Sequence, residues 1–345
     1  MQYYSTSMRI DITIKNINQY SEGTYPHVDE VRWDYDGALE AEVLQNFPNL
    51  IKLRCLRSAK IKTLAGLEGC PRLEEFHLEH GSLESLEGIE HCPLLRKLTV
   101  PFNELTSLAG IENCKHLRKL NCNYNRLTSL KGLEGCLQLS SFSCSNNQIT
   151  NLTPISSLFM LRSLWCCSNK LETLVGLEGC ISLQFLTCSQ NQLVNFEGVS
   201  NCRELIKLTC HYSKLVSLVG TENCKKLVVL DLMGNKLTSL TGIEHFKKLD
   251  ELEVPYNELT SLEGIEKCTY IRRLTCTFNK IATLEHVASS YSLRVFSWTG
   301  NAVETKSESV NRFLRKFEPK SITCEHPIQR SIHNTIQGML DAPRY

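Results

Sequence analysis

Apolar positions recur along the chain in the pattern L-x-x-L-x-C-x-x-N-x-L-x-x-L-x-G-L-E-x-C. Units start at Leu73, Leu95, Leu117, Leu139, Leu161, Leu183, Leu205, Leu227, Leu249, Ile271 and Leu293, every step being 22 residues. Upstream, a unit starting at Leu50 is one residue longer, and a degenerate unit, "VDEVRWDYDG", starts at Val28; downstream the pattern decays after "LRVFSWTGNAV". A fixed period of this length is the signature of a solenoid, in which no unit buries its apolar face alone.

The pattern within a unit predicts its elements. In "LRSLWC", Leu161, Leu164 and Cys166 point inward, and the last two bracket Trp165 with the period-two alternation of a short strand. Stacked strands of this kind make one parallel sheet at a spacing of about 4.8 Å, and hence a curved solenoid. An asparagine follows the strand in nine units, at Asn103, Asn125, Asn147, Asn169, Asn191, Asn235, Asn257, Asn279 and Asn301. It turns the chain, and its buried amide is expected to satisfy backbone groups that the turn leaves unpaired. The Leu-x-x-Leu and Gly-Leu-Glu segments that come next are too short for a long helix and predict 3₁₀ or single-turn helix.

The unit "LRKLNCNYNRLTSLKGLEGC" resembles the 22-residue leucine-rich repeat class of bacterial internalins and of the nuclear regulatory subunit of protein phosphatase 1, over roughly residues 28–303. The resemblance implies an α/β repeat solenoid, a right-handed leucine-rich repeat horseshoe or arc. A parallel β-sheet would line its concave face and short 3₁₀ or helical turns its convex face, with both ends capped. The chain then divides into an N-terminal capping strand region (1–27), about 12 units of 22 residues (28–304), and a C-terminal capping helix and tail (305–345). Cysteine where leucine or isoleucine is usual departs from the common pattern, and it resembles the repeats of leucine-rich repeat proteins encoded by large DNA viruses of the Marseillevirus-like kind.

Seventeen cysteines raise the question of a metal or redox site, which their placement answers. Cys55, Cys122, Cys144, Cys166, Cys188, Cys210 and Cys276 take the inward strand position that Leu78, Val100, Leu232, Val254 and Trp298 fill in other units. Cys70, Cys92, Cys114, Cys136, Cys180, Cys202, Cys224 and Cys268 take the last convex position, held elsewhere by Leu158 and Phe246. Residues interchangeable with large apolar ones are core, where free cysteine packs as a small hydrophobe. A zinc site needs four closely spaced ligands, and no unit brings His or Asp inward to complete one. Cys167 and Cys324 lie off these ladders, Cys167 facing outward with no group nearby that would activate it. His77 and His80, near Glu75 and Glu79, are either a metal pair or a solvated polar patch. No nucleotide loop, dinucleotide fingerprint or zinc-protease helix occurs, so no enzyme, catalytic residue, metal or cofactor is expected.

Composition narrows the partner. A net charge of +1 over 345 residues and 42% apolar content give no overall bias toward nucleic acid or membrane. The start, "MQYYSTSMRIDITIK", lacks a basic segment followed by an apolar one, and no apolar run reaches bilayer length. An intracellular, reducing, cytoplasmic location is expected, in host cytoplasm or a virion if the viral resemblance holds.

With the core accounted for, function falls to side chains that the repeat does not need. One column, just before the asparagine, carries Tyr35, His80, Phe102, Tyr124, Tyr212, Tyr256 and Phe278, either as binding anchors or as cover for the sheet edge. Trp165 stands in the central column between Ser143 and Thr187, with Phe185 nearby. Charge comes in bands: acidic at Asp29, Glu30, Glu74, Glu75 and Glu79 around Lys52, Arg54 and Arg57; basic at Arg96, Lys97, Arg118 and Lys119; acidic at Asp231, Asp250, Glu251 and Glu253; basic at Arg272, Arg273 and Arg294. Alternating bands suit a complementary protein better than a uniform polyanion. The candidate concave-face residues are therefore Trp165, Phe102, Tyr124, Phe185, Tyr212, Tyr256, Phe278, Arg118, Arg162, Asp231, Glu253 and Arg272.

The ends need covering. Met8, Ile10, Ile12 and Ile14 alternate as a strand over the first unit. Thr305 and Glu308 form a capping box before an amphipathic stripe at Val310, Phe313, Leu314 and Phe317. Ile328, Ile332, Ile336 and Leu340 mark a second stripe that docks on the array or on a partner. The reading is a non-enzymatic protein–protein interaction scaffold that holds a protein partner on its concave sheet. The alternatives are a structural component of a larger assembly such as a virion and, by class resemblance alone, a regulatory subunit of an enzyme such as a phosphatase.

Overall fold

The computed structural model describes residues 8–13, 16–34, 37–55, 60–304 and 307–317. Each unit contributes one strand of three to seven residues, because only that much of the unit alternates before the asparagine turn. The strands are β1 (Met8–Thr13), β2 (Val28–Asp34), β3 (Lys52–Cys55), β4 (Glu75–Leu78), β5 (Lys97–Thr99), β6 (Lys119–Asn121), β7 (Ser141–Ser143), β8 (Ser163–Trp165), β9 (Phe185–Thr187), β10 (Lys207–Thr209), β11 (Val229–Asp231), β12 (Glu251–Glu253), β13 (Arg273–Thr275) and β14 (Val295–Ser297). They form one 14-stranded parallel sheet in sequence order. The register follows the repeat: Lys207 pairs with Val229 and Glu251 with Arg273, each 22 residues on. Lys52 pairs with Glu75, which absorbs the one-residue insertion in the loop and leaves the register of the sheet intact.

Inward positions of every unit fuse into a single core, from Ile12 to Phe317. Trp33 takes the rung next to Cys55 and is fully buried. Trp298, expected inward at the other end, is only half-buried and stacks on Phe296 at 4.8 Å. Most convex turns are 3₁₀ segments of three to five residues, those around Leu177, Val199 and Thr221 being plain turns, with short helices α1 (Ala41–Leu44) and α2 (Glu285–Ala288) where the sequence departs from the consensus.

The asparagines behave as expected. Asn147 accepts the Leu127 N–H through Oδ1 at 2.9 Å and donates from Nδ2 to the Cys122, Cys144 and Ser145 carbonyls. Each such amide therefore ties its own turn to the unit before it. Ser213 replaces asparagine in one unit, and there the Asn235 Oδ1 receives both the Ser213 and the Leu215 N–H.

The Gly-Leu-Glu motif has a reason the sequence did not reveal. From Gly88 onward the glycine takes a positive φ, between +92° and +109° in this motif, and in seven units the glutamate two residues on accepts its N–H. This bond recurs from Glu90 to Gly88, Glu112 to Gly110, Glu134 to Gly132, Glu178 to Gly176, Glu222 to Gly220, Glu244 to Gly242 and Glu266 to Gly264, at 2.7–3.0 Å. The carboxylate closes each convex turn from outside. A side chain at Gly176 would also run into the Leu152 carbonyl of the preceding unit, whereas one at Gly242 would meet nothing nearer than Leu218 Cβ at 3.8 Å. Gly242→Ala should cost about 1–2 kcal/mol from backbone strain alone, and Gly176→Ala about 3 kcal/mol or more. Urea midpoints measure the difference; equal losses would show that the backbone contact at Gly176 is not limiting.

At the start of the array, β1 adds in parallel to β2 and buries Ile12, while Met8 stays exposed and Ile10 is intermediate. Ile14, Tyr35, Arg57, Thr305, Cys324 and the stripe from Ile328 to Leu340 lie outside the described residues. At the other end, α3 (Glu308–Leu314) buries Val310, Phe313 and Leu314, and Phe313 and Phe317 pack edge-on against Phe296. Its N-cap is Ser307, the expected capping box at Thr305 falling outside the described residues, and Ser309 donates to Glu285 on α2.

Candidate functional site: the concave sheet and its two edges

Strand alternation places three kinds of side chain on the face opposite the core. The first column of the sheet holds Phe185, Lys207, Val229, Glu251 and Arg273, and the second holds Trp165, Thr187, Thr209, Asp231, Glu253 and Thr275. Trp165, 39% exposed, stands in the middle of a neutral stretch formed by Ser141, Ser143 and Ser163, with Phe185 40% exposed on the next strand.

The aromatic column sits at the exit edge of the sheet, on the asparagine turn. His80, Phe102, Tyr124, Tyr212, Tyr256 and Phe278 all have positive φ, between 47° and 55°. That conformation swings their rings along the solenoid axis. His80, Phe102 and Tyr124 stack at 4.3 and 4.2 Å, and Tyr256 stacks on Phe278 at 4.7 Å. Tyr212 and Phe278 lie over Gly234 and Gly300 of the following units, which is why a side chain there would collide with a ring. These rings therefore cover the turn edge as well as presenting their rims to solvent.

Arg118, Arg162 and Arg272 do not project from the concave columns. They stand one residue before their strands, at the entry edge, where their carbonyls receive the first ladder bonds of the next unit. Arg272 is held by Asp250 through two 2.6 Å bonds, which lower the Asp250 pKa, and the pair lines a cleft of about 680 Å³ with Tyr270 and Arg294. The charge bands are partly self-neutralising across neighbouring units: Lys52 with Glu75, Arg54 with Glu30, Arg96 with Glu74, and Arg273 with Glu251. Among the described residues, Lys97, Arg118, Lys119 and Arg294 have no carboxylate within 4 Å and keep their charge for solvent or a ligand.

Asp231 and Glu253 are brought together on adjacent strands. His211 Nε2 approaches Asp231 Oδ2 to 2.6 Å without hydrogen-bond alignment, while Asp231 Oδ1 is buried with no hydrogen-bond partner. Burial, then Asp231, then Glu251 push the Glu253 carboxyl up to about 7, against the pull of His211.

The thiols behave as core. Fifteen of the described cysteines are buried and Cys167 is intermediate, all of them free. The convex thiols of Cys92, Cys114, Cys136, Cys180, Cys202, Cys224 and Cys268 each lie near a carbonyl of the preceding unit, such as Cys180 Sγ at 3.4 Å from the Ile155 oxygen. A cysteine there fills the volume of a small apolar residue and also donates weakly to an otherwise under-bonded carbonyl. The Cys167 thiol is raised, chiefly by burial, so it is not an activated nucleophile. His77 and His80 each lie 3.5 Å from Glu79, but no group of three or more His, Cys, Asp or Glu among the described residues could hold a metal ion. No helix among the described residues is long and apolar enough to cross a membrane.

Comparison with known proteins agrees with this architecture. The family model described as leucine-rich repeats, two copies, matches residues 93–135 and 115–157. No curated protein matches the chain in sequence. Among solved structures, an internalin of Listeria monocytogenes, inlF, is 19% identical with a TM-score of 0.71, over 80% of this chain and 80% of its own. The functional domain of InlJ from the same organism, whose structure is described as including a cysteine ladder, is 22% identical with a TM-score of 0.67, over 80% of this chain and 59% of its own. A plant peptide hormone receptor, RGFR1 in complex with RGF2, is 18% identical with a TM-score of 0.65, over 86% of this chain and 50% of its own. At these identities the likeness is one of fold.

Proposed function

Because the chain is a leucine-rich repeat protein of the internalin-like, 22-residue class, we propose that it is a non-enzymatic scaffold that binds a protein partner on its concave sheet. Proteins of this fold are typically protein–protein interaction scaffolds, and the plant receptor that shares it is complexed with a peptide hormone. The observation that carries the reading is Trp165. A large aromatic stands 39% exposed at the middle of the sheet, on a strand whose neighbours fix its backbone. Such residues anchor interfaces at low entropic cost. The basic group at Lys97, Arg118 and Lys119 lies on one side of it and the Asp231–Glu253 group on the other, so a partner would be oriented by charge and held by the centre.

A second surface favours the assembly-component reading: Leu137, Phe159, Met160 and Ile181 are 44–54% exposed on three consecutive turns, away from the concave columns. One experiment separates the two. Partners captured by the full chain should be lost, by about tenfold or more, with Trp165→Ala plus Tyr212→Ala and retained with Phe159→Ser. The opposite pattern assigns binding to the flank and sinks the concave-face reading.

A further inference from the structure

On the second column of the sheet, Thr209, Asp231 and Glu253 are consecutive rungs, on β10, β11 and β12. Thr209 is 8% exposed, faces the concave side, and its Oγ1 has no hydrogen-bond partner. Asp231 Oδ1, on the next rung, is likewise buried and unsatisfied. Leaving two neighbouring buried oxygens unpaired costs free energy that a stable array has no structural reason to accept, and such positions are where a ligand's donors fit. We propose that Thr209, Asp231 and Glu253 form a subsite for the guanidinium of an arginine side chain in a protein partner. This rests on the concave face being the partner-binding surface.

The chemistry of the row selects the ligand. All three groups accept hydrogen bonds, and adjacent rungs are about 4.8 Å apart, so the row is roughly 10 Å long. An ammonium is a compact point charge that donates from one atom, whereas a guanidinium presents five donors in a planar fork that can serve acceptors on two adjacent rungs at once. The charges facing the row leave room for a cation. On β10 and the turn after it are Lys207, His211 and Tyr212; on β11, Asp231; on β12, Glu251, Glu253 and the nearby Tyr256; on β13, Arg273. Arg273 is taken by Glu251 at 2.7 Å and His211 Nε2 lies 2.6 Å from Asp231, and among the described residues no lysine or arginine pairs with Glu253. At neutral pH a proton partly fills that role, since the Glu253 carboxyl is pushed up to about 7 by burial and by Asp231 and Glu251. Arginine would take the place of that proton, so binding should release it.

Titrating the full chain with Nα-acetyl-arginine amide, followed by the ring-proton resonances of His211, tests the proposal. Saturable binding is expected, strengthening by up to about tenfold from about pH 6 to about pH 8 as Glu253 ionises. Nα-acetyl-lysine amide should bind several-fold more weakly. Glu253→Gln and Asp231→Asn should each weaken arginine binding by about fivefold or more. Thr209→Val separates a ligand role from a structural one, because removing an unpartnered hydroxyl should leave urea stability unchanged or raised while arginine binding weakens. Equal affinity for the two amides, retained by all three variants, overturns the subsite, as does displacement of arginine by millimolar Mg²⁺ or Ca²⁺. Loss of the subsite with partner capture still dependent on Trp165 removes this inference alone. Arginine binding with capture indifferent to Trp165 removes the concave-face reading instead.

Discussion

Raising the pH through about 10 should unfold the array while many proteins of its size remain folded. Fourteen buried thiols have raised pKa values, chiefly through burial except at Cys188, where a hydrogen bond with Cys210 comes first; Cys136 and Cys268 are pushed up to about 11, and Cys70, Cys114, Cys180, Cys224 and Cys276 to about 12. Those of Cys55, Cys92, Cys122, Cys144, Cys166, Cys188 and Cys202 are raised as well. In the unfolded chain the same groups ionise near 9.0. A raised folded-state value means that the contribution is whole below pH 9 and is lost as the pH climbs from 9 toward the folded values. Each pH unit in that window costs about 1.4 kcal/mol per thiol. Even discounted severalfold, fourteen such terms exceed the roughly 5–15 kcal/mol that holds a typical domain together. Far-ultraviolet circular dichroism in the presence of reductant should collapse over a narrow range, in step with thiolate absorbance. Substituting Val at Cys122, Cys144, Cys166 and Cys188 should move the midpoint upward. Thiolate absorbance that rises to pH 11 without loss of ellipticity would refute the account.

Asn147→Ala should cost about 3 kcal/mol or more, far beyond what an exposed asparagine is worth. The substitution strands the Leu127 N–H, whose acceptor is the Asn147 Oδ1 at 2.9 Å, and removes a donor from three carbonyls in two units. A buried orphan donor alone costs about 1–3 kcal/mol, and the lost volume adds a cavity term. Because stability in a repeat array is a sum of local and nearest-neighbour terms, the loss should split urea unfolding into two steps that divide near β7. Asn147→Ser should recover part of the loss, since Ser213 serves at the equivalent place and its Oγ accepts the Asn191 N–H at 3.3 Å. A midpoint within about 0.5 kcal/mol of wild type would show that the asparagine ladder is dispensable.

The candidate site was legible only where it is a direct consequence of alternation. Trp165 can be assigned outward because Leu164 and Cys166 must be inward, and its flanking Ser143 and Thr187 follow from the period. Arg118, Arg162 and Arg272 were misplaced because the strands begin one residue later than the apolar pattern suggests, which moves these side chains to the entry edge. For the aromatic column, the sequence left open whether the rings anchor a partner or cover an edge. The left-handed backbone at Phe102 and Tyr124 turns the rings onto each other, and nothing in a one-dimensional pattern reports a φ value for a non-glycine residue.

The sequence by itself determined the period, the strand register, the inward ladders of leucine and cysteine, and the asparagine turn, because all four follow from a 22-residue spacing that recurs without a gap. Tertiary structure alone decided what neighbouring units do to one another. It set which charges cancel across the 22-residue step, that each convex glutamate clasps the glycine behind it, and that Thr209 and Asp231 face the concave side with unsatisfied oxygens. These depend on side-chain rotamers and on burial, quantities that arise only when one unit is stacked on the next.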